Sequence, residues 1–214
     1  MGQILQGDCL DVLRTIPENS LDSCITDPPY GLGAVRDLPG LLQAWMAGED
    51  GAKYQTKGFM NKGWDQVPSP IVWREVYRVL KPGAHLLAFA GTRTWDLMSL
   101  SIRLVGFEDR DTITHNYSAV SALQWQYASG FPKSLNLGNG RGTALKPAWE
   151  PILVFRKPIA EGSISANVLE WGTGAINIDT TRTGDETIHT SGIRNGTGIS
   201  RGLSPVHIAY RFSR

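Results

Sequence analysis

The amino-acid sequence predicts an α/β domain with a mainly parallel sheet. Short apolar runs, rich in small and β-branched residues, alternate with runs whose apolar residues recur at helical spacing. Turns rich in glycine and proline separate them, and the order strand, helix, strand is typical of a parallel α/β sheet. With 214 residues, 41% hydrophobic and 19% charged, the chain has the size and composition of one globular domain.

The first predicted strand–helix–strand unit opens the chain. Gln3–Leu5 is a short apolar run, and Asp8 is placed to cap a short helix behind it. Leu21–Thr26 is predicted to be a buried strand, because its small and β-branched residues lead up to a stop at Asp27-Pro28-Pro29-Tyr30.

A long glycine-rich segment follows, over residues 31–65, and shows no clean period. It predicts a loop with one short helix near Leu41–Met46, and loops of this length in compact domains usually have a function. Lys57 and Lys62 interleave with the aromatic ring of Phe59, a pattern suited to contact with a DNA backbone and to stacking. An ordinary solvated loop explains these lysines equally well.

The middle of the chain gives the best fold evidence, because helical and strand patterns alternate regularly. The predicted elements are helix Pro70–Leu80, strand Ala84–Ala90, helix Thr94–Val105, strand Glu108–Tyr117 and strand Ile152–Arg156. The turn Lys81-Pro82-Gly83 is expected to end the first of these helices. The second helix is expected to turn Leu97, Ile102 and Leu104 toward the core.

Charge and composition exclude several classes of protein. Lys and Arg total 21 against 20 Asp and Glu, a net charge of +1, so any site for a polyanion must be a local patch. The apolar run His85–Ala90 is too short to span a bilayer, and the first residues show neither the basic segment nor the long apolar core expected of a signal peptide. Cys9 and Cys24 form no metal or disulfide motif. We expect a cytoplasmic protein without a bound metal and without a membrane partner.

The strongest chemical signal is the tetrad Asp27-Pro28-Pro29-Tyr30 at the end of a buried strand. Neither proline presents an N–H group, so the local carbonyls remain as fixed acceptors beside the Asp27 carboxylate. Tyr30 adds a flat aromatic face, and ligands of open α/β folds bind at the carboxyl ends of strands. The tetrad therefore suits a planar molecule with an exocyclic amino group. A proline-rich turn with Tyr30 capping the core is the alternative interpretation.

Several further segments match one family in the same order along the chain. They are Gly7–Leu10, Asp22–Tyr30, Gly58–Met60 with Trp64-Asp65, Leu80–Gly83, Ala90–Thr94, Ser129–Ser134 and Lys146–Ile152. With these motifs the chain resembles the amino-methylating DNA methyltransferases that use S-adenosylmethionine. It is most similar to the circularly permuted group with the tetrad near the N-terminus, including phage and prophage enzymes. The likeness covers about residues 3–182.

The resemblance implies a Rossmann-like methyltransferase fold of the α/β class and a role for each tetrad residue. Asp27 and the Pro28 carbonyl would accept hydrogen bonds from the target amino group, with Pro29 holding the turn. Tyr30 would stack on a base flipped out of the duplex. A tetrad that begins with aspartate is usual for N6-adenine methylation, whereas N4-cytosine enzymes more often begin with serine. Adenine is therefore the first expectation and cytosine the alternative.

The resemblance also implies S-adenosylmethionine as the cofactor. Asp8 corresponds to the acidic residue that helps to hold the adenosyl part, and Cys9 and Asp27 are assigned to the same group. The family's glycine-rich F-x-G-x-G segment, which cradles the methionine part, has no convincing counterpart in this chain. An incomplete sheet is therefore expected. Three explanations stay open: the polypeptide is truncated, a partner chain or self-association supplies the missing half, or the protein is a degenerate relative.

Residues outside the tetrad are assigned to DNA from their own surroundings, and double-stranded DNA is the expected partner. Arg93 follows an apolar strand and suits a phosphate, although a surface salt bridge explains it equally well. Lys133 lies near Trp125 and Tyr127, aromatic residues that suit either target recognition or the core. Glu150 precedes a strand and is expected beside the base pocket.

The expected organisation is a catalytic domain over residues 1–182 and a loop-rich basic tail over 183–214. Within the domain, residues 31–65 and 118–149 are candidate target-recognition loops. Two alternatives stay open. One is a non-catalytic DNA-binding remnant that cannot hold the cofactor. The other is an enzyme acting on RNA or on a protein amide, because the tetrad recognises a planar amino group and not DNA as such.

Overall fold

The computed structural model describes residues 2–58, 61–110, 122–127, 135–145 and 147–181. The chain divides into two compact units, Met1–Ala175 and Ile176–Arg214. The helices of the first unit are α1 Cys9–Thr15, α2 Leu38–Met46, α3 Pro70–Val79, α4 Trp95–Arg103 and α5 Ile164–Trp171, with a 3₁₀ turn at Ala52–Tyr54. Its strands are β1 Leu21–Thr26, β2 Leu80–Phe89, β3 Glu108–Asp109, β4 Ala122–Gln126, β5 Asn136–Gly138, β6 Arg141–Gly142 and β7 Trp149–Arg156. The described part of the second unit holds α6, Ile178–Thr181.

The main sheet of the described residues has the order β1-β2-β7-β3, and β4 also pairs with β7. β1 and β2 are parallel, with Cys24 opposite Leu86. β7 is antiparallel to β2, with Phe155 opposite Leu86, and β3 and β4 pair antiparallel with opposite ends of β7. The expectation of a mainly parallel sheet is thus wrong beyond the first pair of strands. Strands β5 and β6 form a separate two-stranded sheet.

Helices α3 and α4 supply much of the core beside the buried face of β2. Pro70 occupies the first turn of α3, where its missing N–H group costs nothing, and Trp73 of that helix is 1% exposed. The fully buried side chains of the core come mainly from these two helices and from β2 and β7, namely Trp73, Val79, Leu80, Leu86, Met98, Ile102, Leu153 and Phe155. All of these residues except Val79 belong to one contiguous hydrophobic cluster.

Several predicted elements agree with the structure. The Asp8 side chain caps α1 by accepting from the Leu10 N–H group at 2.9 Å, as its position before the helix predicted. β1 has the predicted bounds, but the prediction that it is buried was wrong, because none of its residues is buried and Ile25 is 65% exposed. α2 contains the predicted short helix. The α/β fold class is confirmed. In the described residues, no helix combines the length and the apolar character needed to cross a bilayer.

Other predicted elements were wrong in detail. Gln3–Leu5 forms no strand, and Ile4 is 96% exposed. Lys81–Gly83 does not form a turn but lies inside β2, where Gly83 has a φ of +80° and packs closely on Asn167. Leu104 is 42% exposed because it ends α4 as its C-cap.

The predicted strands near the C-terminal side also differ in length. β7 begins at Trp149, three residues before the predicted start, because its first residues pair with β4. Of the predicted strand over residues 108–117, the structure places Glu108–Asp109 in β3, and residues 111–117 lie outside the described residues. Residues 183–214, predicted to be a basic tail, also lie outside them.

Candidate active site

Four segments converge at the carboxyl edge of β1 and β2. Because these two strands are parallel, the segments that follow Thr26 and Phe89 leave the sheet on the same side. β7 runs the opposite way, so its first residues reach this edge, and β4, antiparallel to β7, ends there. The topology therefore brings together residues that are more than one hundred positions apart in the sequence.

An open cleft of about 540 Å³ lies at this edge. It is lined by Asp27, Pro28, Pro29, Tyr30 and Leu32 after β1, by Trp64 and Asp65 from the loop before α3, by Tyr127 after β4 and by Glu150 at the start of β7. Trp64 and Tyr127 are 63% and 38% exposed, so aromatic surface faces solvent at this cleft. The cleft has the size and the aromatic, carboxylate-bearing lining that suit a planar ligand with amino groups.

Tyr30 is held at three points. Its hydroxyl donates to Glu150 Oε2 at 3.1 Å, and its main-chain carbonyl accepts from Thr94 Oγ1 at 2.5 Å. Gly91 lies against it so closely that an added Cβ would be 3.3 Å from the Tyr30 Cβ. The segment after β2 thus holds the main chain and the base of the side chain of Tyr30, and the start of β7 holds its hydroxyl.

Asp65 fixes the chain just after the tetrad. Its side chain is buried, with the residue 2% exposed, and its Oδ1 and Oδ2 accept from the Gly31 and Leu32 N–H groups at 3.0 and 3.3 Å. Gly31 has a φ of +64°, a conformation that favours glycine. A Cβ at Gly58 would lie 2.1 Å from Asp65 Oδ2, so only glycine lets this loop approach the carboxylate.

Sequence reasoning did not assign Asp65 to the site, although it noted Trp64-Asp65 among the matching segments. The sequence did show an acidic residue in a glycine-rich loop. If such a residue is buried, its carboxylate needs hydrogen-bond donors from elsewhere in the fold. Its donors lie 34 and 33 residues away, so the sequence pattern alone does not identify them.

The electrostatics of the cleft keep both phenols protonated. Burial, followed by hydrogen bonding and the charges of Asp27 and Glu150, raises the pKa of Tyr30 well above its ordinary value. Burial and then the same two carboxylates raise the pKa of Tyr127 to about 12. At neutral pH the two phenols are therefore neutral, beside the three acidic residues Asp27, Asp65 and Glu150. Such a site favours ligands that donate hydrogen bonds or carry positive charge.

The other sequence-predicted residues lie outside the cleft lining. Asp8 and Cys9 are exposed at the start of α1, where Asp8 serves as the N-cap. Lys57, Lys62 and Arg93 are exposed, the two lysines in the loop that carries Asp65. Lys133 lies outside the described residues. The roles assigned to these six residues stay predictions, as do those of the tetrad and of Glu150, which do line the cleft.

Comparison with known proteins gives a family for this arrangement. The model of a DNA methylase family whose members act on N6 and N4 amino groups matches residues 21–190, which is most of the chain. This chain belongs to that DNA methylase family. The match includes β1, the tetrad and every residue that lines the cleft. This membership confirms the family resemblance that the sequence motifs indicated. Members of the family use S-adenosylmethionine as cofactor.

Individual relatives are similar over different parts of the chain. The type II methyltransferase M.HindIII of Haemophilus influenzae is 25% identical over 199 residues, 81% of this chain and 64% of that protein. YubD of Escherichia coli K12 is 33% identical over 107 residues, 50% of this chain and 39% of that protein. The solved PvuII DNA methyltransferase, named as cytosine-N4-specific, is 18% identical, covers 79% of this chain and 62% of that one, and has a TM-score of 0.44. The chain thus spans about two fifths to two thirds of these proteins.

At the cleft, Asp27 and the proline carbonyls provide hydrogen-bond acceptors, and Tyr30 provides an aromatic face. No residue group of the described chain suits the amino-acid part of the cofactor, because β1 has no second neighbour there and the F-x-G-x-G segment is not found in the sequence. We therefore assign no described residue to the methionine part of S-adenosylmethionine.

Proposed function

We propose that this chain carries the base-accepting half of a DNA amino-methyltransferase that acts on adenine N6. The observation that carries the proposal is the cleft at the end of β1, where the Asp27 carboxylate and the proline carbonyls stand beside the restrained ring of Tyr30. Acceptors and an aromatic face in one open cleft are what a flipped base with an exocyclic amino group requires.

In the proposed reaction, Asp27 and the Pro28 carbonyl accept the two hydrogens of the target amino group. Their geometry turns the nitrogen lone pair away from the ring and out toward the methyl donor, so that the base need not lose a proton first. S-adenosylmethionine, when bound, supplies the methyl group. The nitrogen gains positive charge as it is methylated, and the Asp27 carboxylate stabilises that charge and is placed to take the released proton.

Adenine is favoured over cytosine by the aspartate at the first tetrad position. This preference comes from the family resemblance, and both bases present an amino group to the same acceptors. The exposed residues Lys57, Lys62 and Arg93 are proposed to contact the DNA backbone. The loops over residues 31–65 and 118–149 are proposed to recognise the target, and the basic tail over 183–214 to add further DNA contacts.

We further propose that additional polypeptide completes the sheet at β1. Parallel strands are usually covered on both faces, yet Ile25 in the middle of β1 is 65% exposed. Within the described residues β1 pairs only with β2, which leaves one row of backbone groups open for another strand. A partner chain or a second copy of this chain would cover Ile25 and pair with the open backbone groups of β1.

The test is a transfer assay with labelled S-adenosylmethionine on duplex DNA, with RNA and a protein mixture as parallel substrates. Digestion of the DNA to nucleosides and chromatography identify the product. The proposal predicts label in N6-methyladenine. Label in N4-methylcytosine would mean that the target base is cytosine and not adenine. Label in RNA or protein alone would overturn the assignment of DNA as the substrate. Calorimetry with S-adenosylmethionine separates an enzyme from a remnant, because a remnant binds DNA without binding the cofactor.

A further inference from the structure

We propose that Glu150 is a positioning residue that acts on the target base through the hydroxyl of Tyr30. In this proposal the carboxylate holds the ring in its stacking plane and makes the ring face more negative. The cleft then prefers a base that carries positive charge over the same base without it. The inference rests on the proposed function, because it concerns the base that this function places against Tyr30.

The first support is the direct contact between two rigid parts of the fold. Tyr30 Oη donates to Glu150 Oε2 at 3.1 Å across 120 residues of sequence. Glu150 lies in the second position of β7, opposite Trp125 of β4, and the next residue, Pro151, accepts from the Ala90 N–H group at 3.0 Å. The carboxylate is thus presented by a strand that is paired on both sides, which restricts its movement more than a loop would.

The second support is the way in which the rest of Tyr30 is held. Thr94 Oγ1 holds the main chain of Tyr30, and Gly91 lies against its Cβ and one edge of its ring. At the far end of the side chain the hydroxyl interacts with Asp27 and Glu150, and its bond to Glu150 Oε2 further restricts rotation of the ring. A base stacked on the ring therefore meets a surface whose orientation depends on Glu150.

The third support is the charge that methyl transfer creates. The nitrogen lone pair forms a bond to the methyl carbon, the carbon–sulfur bond of the sulfonium breaks, and its electron pair stays on sulfur. The base carries the positive charge until the nitrogen loses a proton. An aromatic face attracts cations through its quadrupole, and an anion bound to the phenol hydroxyl increases the electron density of the ring. An interaction that is stronger with the charged base lowers the barrier to the chemical step.

The experiment compares a neutral nucleoside with its cationic methylated form, in the absence of cofactor. Adenosine and 1-methyladenosine, with cytidine and 3-methylcytidine as a second pair, are titrated into the full chain and followed by NMR. The variants are Glu150→Gln, which keeps the shape and removes the charge, Tyr30→Phe, and the double variant. Glu170→Gln, an exposed position on α5, is the matched control for loss of one negative charge. Circular dichroism checks that each variant folds.

The proposal predicts that the wild-type chain binds the cationic form more tightly and that Glu150→Gln reduces this preference by roughly threefold to tenfold, the range of a partly desolvated cation–π contact. Glu170→Gln leaves the preference unchanged. In the Tyr30→Phe background, Glu150→Gln has a clearly smaller effect, because the hydroxyl that links the two groups is gone and only the interaction of Glu150 with Tyr127 remains.

Three other outcomes would overturn the inference. An equal loss of affinity for neutral and cationic nucleosides in Glu150→Gln would reduce Glu150 to a structural contact. An undiminished effect of Glu150→Gln in the Tyr30→Phe background would mean that the carboxylate acts on the base directly. If Glu150→Gln leaves the preference for the cationic nucleoside unchanged, Glu150 has no role in it. Failure of the wild-type chain to bind any of the four nucleosides would instead contradict the proposed function itself.

Discussion

The two faces of the β1–β2 pair are covered to very different degrees. On one face, Leu86 and Ala88 are 0% exposed and belong to the main core cluster. On the other face, Ile25 is 65% exposed and Leu87, its neighbour in register, is only half-buried. The covered face supports the strand end that carries the cleft, and the open face is where further polypeptide is proposed to bind. The proposed acceptor site and the open sheet face thus occur on the same strand.

The largest expected effect comes from the covered face. Leu86→Ala removes a side chain that is fully enclosed between its neighbours Cys24 and Phe155, and we expect it to destabilise the fold by about 2–5 kcal/mol. Urea unfolding followed by fluorescence measures the change. A loss below about 1 kcal/mol, the ordinary value for a single substitution, would show that this face is less tightly packed than described.

A smaller effect is expected where the loop joins the cleft. Asp65→Ala leaves the buried Gly31 N–H group and the part-buried Leu32 N–H group without these acceptors, at a cost of about 2 kcal/mol. Asp65→Asn keeps one carbonyl oxygen as an acceptor and should lose less. Thermal unfolding ranks the variants, and amide hydrogen exchange at the two residues locates the change. Equal exchange rates in wild type and Asp65→Ala would argue against this clamp.

The cleft also predicts a loss of stability at alkaline pH. Burial and the carboxylates of Glu150 and Asp27 raise the pKa of Tyr127 to about 12, whereas an unfolded tyrosine ionises near its ordinary value of about 10. The folded state therefore keeps a proton that the unfolded state loses, and its stability falls as the pH rises from about 10 to about 12. In Tyr127→Phe this fall should be shallower, as measured by urea midpoints across that range. Identical pH profiles would contradict the placement of Tyr127.

The smallest effect is expected on the open face. Ile25→Thr keeps the β-branched shape, and because the side chain is mostly exposed, we expect a change within about 0.5 kcal/mol for the chain on its own. The stability of both proteins is measured again at a higher protein concentration, to compare the chain on its own with a state in which copies can associate. If the loss of stability caused by Ile25→Thr grows with protein concentration, a second copy of the chain covers Ile25. That result would favour self-association as the way the sheet is completed.

The sequence predicts local features well and long-range features poorly. The cap at Asp8 and the strand that stops at Asp27 depend on residues close together in the chain, and both were predicted. The antiparallel direction of β7 was not predicted, because it depends on a connection of about forty residues whose path no local pattern encodes.

The candidate site shows the same division. The tetrad was identified from four adjacent residues, and Glu150 was expected near the base pocket and lies at the cleft. Its bond to Tyr30 and the two amides held by Asp65 were not predicted, because these contacts join residues brought together only by the folded sheet.

The most direct test of the central claim, that Asp27 holds the target amino group, is methyl transfer from labelled S-adenosylmethionine to duplex DNA by the wild-type chain and by Asp27→Ala. Asp27 is an exposed residue at the end of β1, so the variant should fold normally. Loss of one preorganised group that stabilises the transition state typically lowers the rate by about 10²–10³-fold, and we predict a loss of this size. Equal rates of transfer by the two proteins would contradict the account.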